Sequence, residues 1–277
     1  MTLSVVLPVY HGDNASYLRS ALESVFFGQT VKPDEVVVVV DGPIKIDLNE
    51  VIENFRSNME EGKVNVIFLD RNQGLAHALN VGINAAKGDL IARMDADDLS
   101  LGHRFELQIE QFSIDENLAI LGGAIEVFTG NDDKKIVYKY PSSTKEMLKY
   151  IYRQSPFAHP TVMFRRTLLL NHLYSESKHH LYNEDLELWG RLIKARLVMK
   201  NLDVPILAFR ISDSFFDRRS LAKATGELRL YFRLIRELHG INLRMFNVAL
   251  CRFYFRFLPI GIVRLGYKVR NNFLKGN

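Results

Sequence analysis

Three carboxylates, Asp95, Asp97 and Asp98, fall at the end of the apolar run in "GDLIARMDADDLS", residues 88–100. Closely spaced carboxylates repel one another, and an ionised carboxylate taken out of water is costly unless a cation or hydrogen-bond donors answer it. A hard divalent cation such as Mg²⁺ or Mn²⁺ takes oxygen ligands and is commonly held by one or two carboxylates together with phosphate oxygens. The cluster therefore reads as a Mn²⁺ or Mg²⁺ site that carries a phosphorylated ligand. Asp98 also has a structural reading, as cap or lead-in of the helix in "DDLSLGHRFELQIEQF", with Leu107 and Phe112 on its apolar face. Three carboxylates cannot all cap one helix. Two further acidic positions stand out. Asp41 closes "EVVVVVDG", where an Asp before Gly also serves as a turn former. Glu184 and Asp185 open a helical pattern in "LYNEDLELWGRLIKA", where Asn183 suits a cap and first-turn acids are favoured by the helix dipole.

The elements that must position these groups are legible around them. "LSVVLPVY" and "EVVVVVDG" are apolar at every position, as strands covered on both faces of a parallel sheet are. Between them, Leu18, Ala21, Leu22, Val25 and Phe26 have helical spacing, with Asp13 or Asn14 as cap and Gly28 as stop. A third strand, "VNVIFLD", leads into a helix striped by Leu75, Leu79, Ile83 and Ala86 and ended by Gly88, and "DLIARMDADD" is a fourth strand. The alternation predicts a doubly wound α/β sheet whose ligands sit outside the carboxyl ends of the strands, where Asp41 and the Asp95–Asp98 cluster both fall.

The whole chain fits that frame. Its 277 residues can bury a full core, and 47% hydrophobic with 25% charged residues excludes a disordered or fibrous chain. The single cysteine, Cys251, excludes an internal disulfide and fits a reducing compartment. "MTLSVVLPVYHG" lacks a basic lead and a long apolar run, so no secretion signal and a cytoplasmic chain are expected.

Taken in order, "SVVLPVYHG", "LRSALESVFFGQTVKPDEVVVVVDG", "NQGLAHALNVGINAAKGDLIARMDADD", "HPTVMFRR" and "YNEDLELWGRL" resemble the family 2 glycosyltransferases. The resemblance runs from residue 3 to about 219. It implies a GT-A fold, that is, a Rossmann-like, mostly parallel central sheet flanked by helices. It also implies inverting transfer from a nucleotide-sugar donor, of UDP-sugar type, to a saccharide acceptor in cell-surface polysaccharide synthesis. A catalytic domain of residues 1–219 follows, with a nucleotide-binding half over about 1–100 and an acceptor half over about 101–219.

The same resemblance implies individual roles. Pro8, Val9 and Tyr10 form part of the nucleotide pocket. Asp41 contacts the base, although this chain has Val40 where many relatives have a second Asp. Arg71, Asn72 and Gly74 lie in a loop whose following helix offers N–H groups to the nucleotide, and they equally suit a cap and tight turn. Asp95 becomes a ribose or nucleotide contact and Asp97 the direct metal ligand. Asp185 becomes the base that deprotonates the acceptor hydroxyl, supported by Glu184. Trp189, one helical turn on, suits either the core or the acceptor pocket. His159 before Pro160 is read as a hydrogen-bonded structural residue or as a ligand of acceptor or metal. Arg218 and Arg219 suit diphosphate oxygens or a solvated basic surface.

Residues 220–277 form a basic, amphipathic helical extension. From Arg229 onward only Glu237 offsets a series of basic residues, and Arg252, Arg256 and Pro259 interrupt every candidate span. Such a segment packs on the catalytic domain, lies on an anionic membrane where a lipid-linked acceptor would be met, or does both. No nucleic-acid motif accompanies its charge. Two other function classes bear on the same acidic site. A nucleotidyltransferase would show a Gly-rich basic loop where "PVYHGDN" stands, and a noncatalytic sugar-nucleotide-binding module would lack the base.

Overall fold

The all-apolar runs become strands because every side chain they carry is accepted by a core, on one face of the sheet or the other. In the computed structural model, which describes residues 1–128, 136–177, 183–210, 221–255 and 257, β1 (Leu3–Val9) and β2 (Glu35–Val40) are almost wholly buried. Strand side chains alternate between faces. Val36, Val38 and Val40 accordingly join one core and Val37 and Val39 the other. β3 (Val64–Phe68) and β4 (Leu90–Arg93) complete a parallel set in the order β3-β2-β1-β4.

Helix α1 (Ala15–Phe26) links β1 to β2. Asn14 is its cap, accepting the N–H groups of Ser16 and Tyr17, whereas Asp13 turns back to accept the Tyr10 N–H at 2.9 Å. Helix α2 (Ile46–Ser57) links β2 to β3 and buries Leu48, Val51, Ile52 and Phe55 beside α1. Helix α3 (Leu75–Ala85) crosses the opposite face, where Leu79 and Ile83 pack. Because β1 lies between β2 and β4, the chain reverses its direction of winding there. A crevice opens at such a switch point.

The second half broadens the sheet with mixed directions. It contributes β5 (Leu99–Ser100), α4 (Arg104–Ile114), β6 (Leu118–Phe128), β7 (Ile136–Tyr138) and α5 (Thr144–Tyr150). A 3-10 turn (His159–Thr161), β8 (Met163–Arg165), α6 (Arg166–Leu169), α7 (Glu184–Lys194) and β9 (Val198–Arg210) follow. The described strands run β3-β2-β1-β4-β8-β6-β9-β5, with β7 beside β6. β8 is antiparallel to β4 and β6, β6 and β9 are parallel, and β5 and β7 are antiparallel edges.

Helices α8 (Leu221–His239) and α9 (Leu243–Phe255) follow. Leu230, Tyr231, Leu234 and Ile235 of α8 enter the same core as Trp189 and Leu192 of α7. Gly190 permits this approach, since a Cβ there would meet Leu234 Cδ2 at 2.2 Å. Ion pairs flank the contact, Arg233 to Glu187 at 3.3 Å and Lys194 to Glu237 at 3.0 Å. Arg229 and Arg236 are exposed, and Arg233 between them keeps 35% of its side-chain surface. Among the described residues, no helix is long and apolar enough to cross a membrane.

Candidate active site

Asp95, Asp97 and Asp98 follow β4 at the crevice, and their carboxylate oxygens lie within 4.8 Å of one another. Arg93, buried beneath them, grips both oxygens of Asp95 with its two terminal nitrogens. Asp98 is 1% exposed. Its Oδ1 accepts the backbone N–H of Arg210 at 2.9 Å, and its Oδ2 is buried with no hydrogen-bond partner. Burial, followed by the charges of Asp95 and Asp97, holds the Asp98 carboxyl well above the usual carboxylate range. The all-oxygen donor set and this unanswered oxygen fit a hard divalent cation.

Asp98 neither caps nor starts the next helix. Helix α4 begins six residues on at Arg104, where His103 holds the cap position without a side-chain capping bond. The buried face of α4 is also more polar than its spacing implies. It contains Phe105 and Phe112 with Arg104 and Gln108, while Leu107 is only half-buried. Arg104 donates to the Arg93 carbonyl at 2.9 Å and to Gln108 Oε1 at 3.1 Å. Burial first, and then Arg93, push its guanidinium down to about 9, with Asp98 opposing. Arg210 completes the surround. It donates to the Asp97 carbonyl at 2.9 Å, with its guanidinium 4.0 Å from the Tyr17 ring centroid and 4.6 Å from that of Phe128.

Across the crevice, buried Asp41 accepts the N–H of Gln73 at 2.7 Å and of Gly74 at 2.9 Å, while Asn72 donates its amide to the Asp41 carbonyl at 3.2 Å. The loop bearing Arg71, Asn72 and Gly74 is thus pinned to the end of β2. Gly42 has φ +83°, and a Cβ on it would lie 2.4 Å from the Asn72 nitrogen. Gly42→Ala is therefore expected to destabilise by about 2 kcal/mol or more, since a left-handed residue costs about 1–2 kcal/mol before the clash is counted. Thermal unfolding should show a fall of at least roughly 4 °C. Of the β1 trio, Val9 is sealed in the core and its carbonyl accepts the Asp41 N–H at 2.7 Å. Pro8 and Tyr10 retain side-chain surface.

Glu184 and Asp185 occupy the first turn of α7 and are half-buried, with Asn183 at the cap position making no side-chain capping bond. Trp189 is core and cannot line an acceptor pocket. It is 0% exposed, stacked on Phe164 and tilted against Phe157. His159 sits edge-on to it, with Nε2 2.8 Å from the Tyr174 hydroxyl. Burial and the Arg93 charge hold the imidazole well below its usual range, so it is neutral. Among the described residues, the group able to hold a metal is the three aspartates, and His159 does not join it. Buried Tyr174 lies within electrostatic reach of Arg93, Asp185, Glu184 and Asp95, and burial pushes its phenol up. Arg218 and Arg219 lie outside the described residues. Arg93, Arg104, Arg210 and Tyr174 had no distinguishing mark in the sequence. An arginine inside a strand and another on a helix read as surface until the fold buries them.

A parallel-sheet crevice with acidic strand ends, joined to a mixed second half, defines the GT-A class. Residues 4–173 match the model of glycosyl transferase family 2. The chain is 31% identical over 268 residues to the Escherichia coli UDP-Gal:alpha-D-GlcNAc-diphosphoundecaprenol beta-1,3-galactosyltransferase, covering 96% of this chain and 94% of the relative. It is 28% identical to the amylovoran biosynthesis glycosyltransferase AmsE of Erwinia amylovora, covering 96% and 97%. The crystal structure of S. aureus TarS 1-349 in complex with UDP-GlcNAc shares the fold, with a TM-score of 0.66 at 19% identity over 92% of this chain and 72% of that one. The chain belongs to glycosyl transferase family 2 and is a glycosyltransferase.

Proposed function

We propose that the protein transfers a sugar, with inversion, from a UDP-sugar to a lipid-linked saccharide in the assembly of a cell-surface polysaccharide. The observation that carries this reading is the gathering of three carboxylates within 4.8 Å at the end of β4. The E. coli and Erwinia relatives support the donor, the acceptor class and the process through the activities their names state.

Asp97, with Asp95 beside it, holds Mn²⁺ or Mg²⁺. The cation supplies positive charge for the diphosphate oxygens of the donor. Arg93 fixes Asp95 toward the nucleotide. Asp41, seated by Val9 and the Gln73–Gly74 amides, accepts an N–H of the base, while Pro8, Tyr10 and the Arg71–Gly74 loop line the nucleotide. Asp185, at the positive end of the α7 dipole and supported by Glu184, takes the proton of the acceptor hydroxyl as that oxygen attacks the anomeric carbon. The new glycosidic bond forms opposite the breaking bond, and the nucleoside diphosphate leaves. A screen of UDP-, GDP- and TDP-sugars with and without Mn²⁺ tests the reading. The expected result is cation-dependent binding and turnover of a UDP-sugar, and preference for another nucleotide or indifference to the cation would sink it.

The acceptor places the enzyme at a membrane. On α9 and the turn before it, Ile241, Leu243, Tyr254 and Phe255 are exposed large apolar residues, with Arg244 exposed among them. Such a surface inserts into the headgroup layer, each basic residue near an anionic surface contributing about 1 kcal/mol. Sedimentation with anionic vesicles should recover the wild type in the pellet and leave a Leu243→Glu, Tyr254→Glu variant in the supernatant. Equal recovery of both would remove the membrane from the proposal.

A further inference from the structure

The imidazole of His159 is held by a chain of contacts that begins far from it in sequence. Asn80 on α3 is buried and clamps the backbone of Tyr174 from both sides, donating to its carbonyl at 2.9 Å and accepting its N–H at 2.9 Å. The Tyr174 hydroxyl then meets His159 Nε2 at 2.8 Å. The ring's remaining freedom is removed by Trp189, edge-on at 5.9 Å between centroids. Three elements thus fix one imidazole. A Tyr hydroxyl donates or accepts; in the tautomer in which the phenol donates to Nε2, the neutral ring carries its own proton on Nδ1. Nδ1 has no partner among the described residues and is not one of the buried unpartnered atoms.

The surroundings of the ring connect to both acidic elements. The turn carrying His159 is tied to the end of β4 by the bond from Arg93 N to the Val162 carbonyl at 2.9 Å, two residues before Asp95. Trp189, on which the ring rests, is one helical turn beyond Asp185. Tyr174, bonded to the ring, lies within electrostatic reach both of Asp95 in the acidic cluster and of Asp185, the carboxylate assigned as base, and the ring itself within reach of Arg93. Under the proposed function, on which this inference rests, the transferred sugar must span the interval between those two carboxylates. It is joined to the diphosphate at the cation and attacked from the side of Asp185.

We propose that His159 contacts the transferred sugar, offering its Nδ1 N–H to one of the sugar's hydroxyl groups, with Tyr174 and Asn80 as the residues that position it. A fixed neutral donor next to a polyol selects among hydroxyl arrangements, because a site built to bond a hydroxyl rejects the analogue that lacks or misplaces it.

The test compares affinities of the full chain, in the presence of Mn²⁺, for UDP alone and for UDP-galactose and UDP-N-acetylglucosamine. The wild type is expected to bind one of the two sugar nucleotides more tightly than UDP. His159→Gln retains a polar atom near the Nε2 position for Tyr174 but removes the Nδ1 donor. It should lower affinity for that sugar nucleotide about 5- to 10-fold, the worth of one hydrogen bond, and leave UDP affinity unchanged. His159→Asn, which places an amide N–H near the Nδ1 position, should recover part of the loss, and Tyr174→Phe should produce a smaller loss in the same direction. A wild-type His159→Gln would show that the ring serves only Tyr174 and would overturn the proposal. So would a parallel fall in affinity for UDP and sugar nucleotide, which marks general damage to the fold. If the wild type binds neither UDP nor the sugar nucleotides, the functional reading itself fails, and the inference with it.

Discussion

Asp185→Ala is expected to abolish sugar transfer while donor binding stays at the wild-type level. A positioned general base contributes about 10² to 10⁴ in rate, and the acceptor oxygen has no equivalent route for its proton once the carboxylate is gone. The fold should survive, because Glu184 and Glu187 remain in the first turn of α7 and a single first-turn acid is worth about 0.3–1 kcal/mol to a helix. Titration with a UDP-sugar separates the two quantities, and transfer assays complete the comparison. Transfer at the normal rate would remove Asp185 from the base role. Donor affinity lost together with transfer would instead place it in the nucleotide site.

Asp97→Ala should act on the other side of the reaction, removing the cation-dependent part of donor binding. Without a cation, a carboxylate about 4 Å from a phosphate is repelled by roughly 4 kcal/mol per unit-charge pair at an effective dielectric near 20. Reversal of that sign is worth about 10²-fold or more in donor affinity. Chelation of the wild type should therefore mimic the variant, and Mn²⁺ should restore the wild type alone. A variant that still responds to Mn²⁺ would mean that Asp95 and Asp98 suffice for the ion.

The contrast between these variants also marks what the sequence makes legible. β1, β2, α1 and the acidic run after β4 are readable because local pattern and tertiary burial agree there. Val36–Val40 are apolar without a break, and each meets a core. Helix α2 has no place in the sequence expectation, although Leu48, Val51, Ile52 and Phe55 carry helical spacing. Its cap residue, Lys45, makes no side-chain bond, and the acid of its first turn, Asp47, stands inside the helix rather than at the cap. The second half of the sheet is opaque for a different reason. Its strand directions depend on which neighbours meet, and short segments such as β5 and β8 exist only through those pairings. The acidic motif marked the carboxylate cluster but not its support. Asp98 is opposite Arg210, 112 residues away, and the arginines beneath the cluster are buried only by the finished fold.

The missing side chain of Gly190 has a consequence for inheritance. Because Leu234 fills the space a Cβ would take, the helix that carries Asp185 and the first tail helix have a fitted surface, with Glu187 and Arg233 as its charged margin. Relatives should not be able to exchange their tails freely. A graft that brings a differently placed leucine or a lost arginine would disturb the helix that carries Asp185, the proposed proton acceptor. The two segments are expected to change together over descent, and a chimera joined at residue 219 should regain activity only when the α7 face is transplanted with its tail.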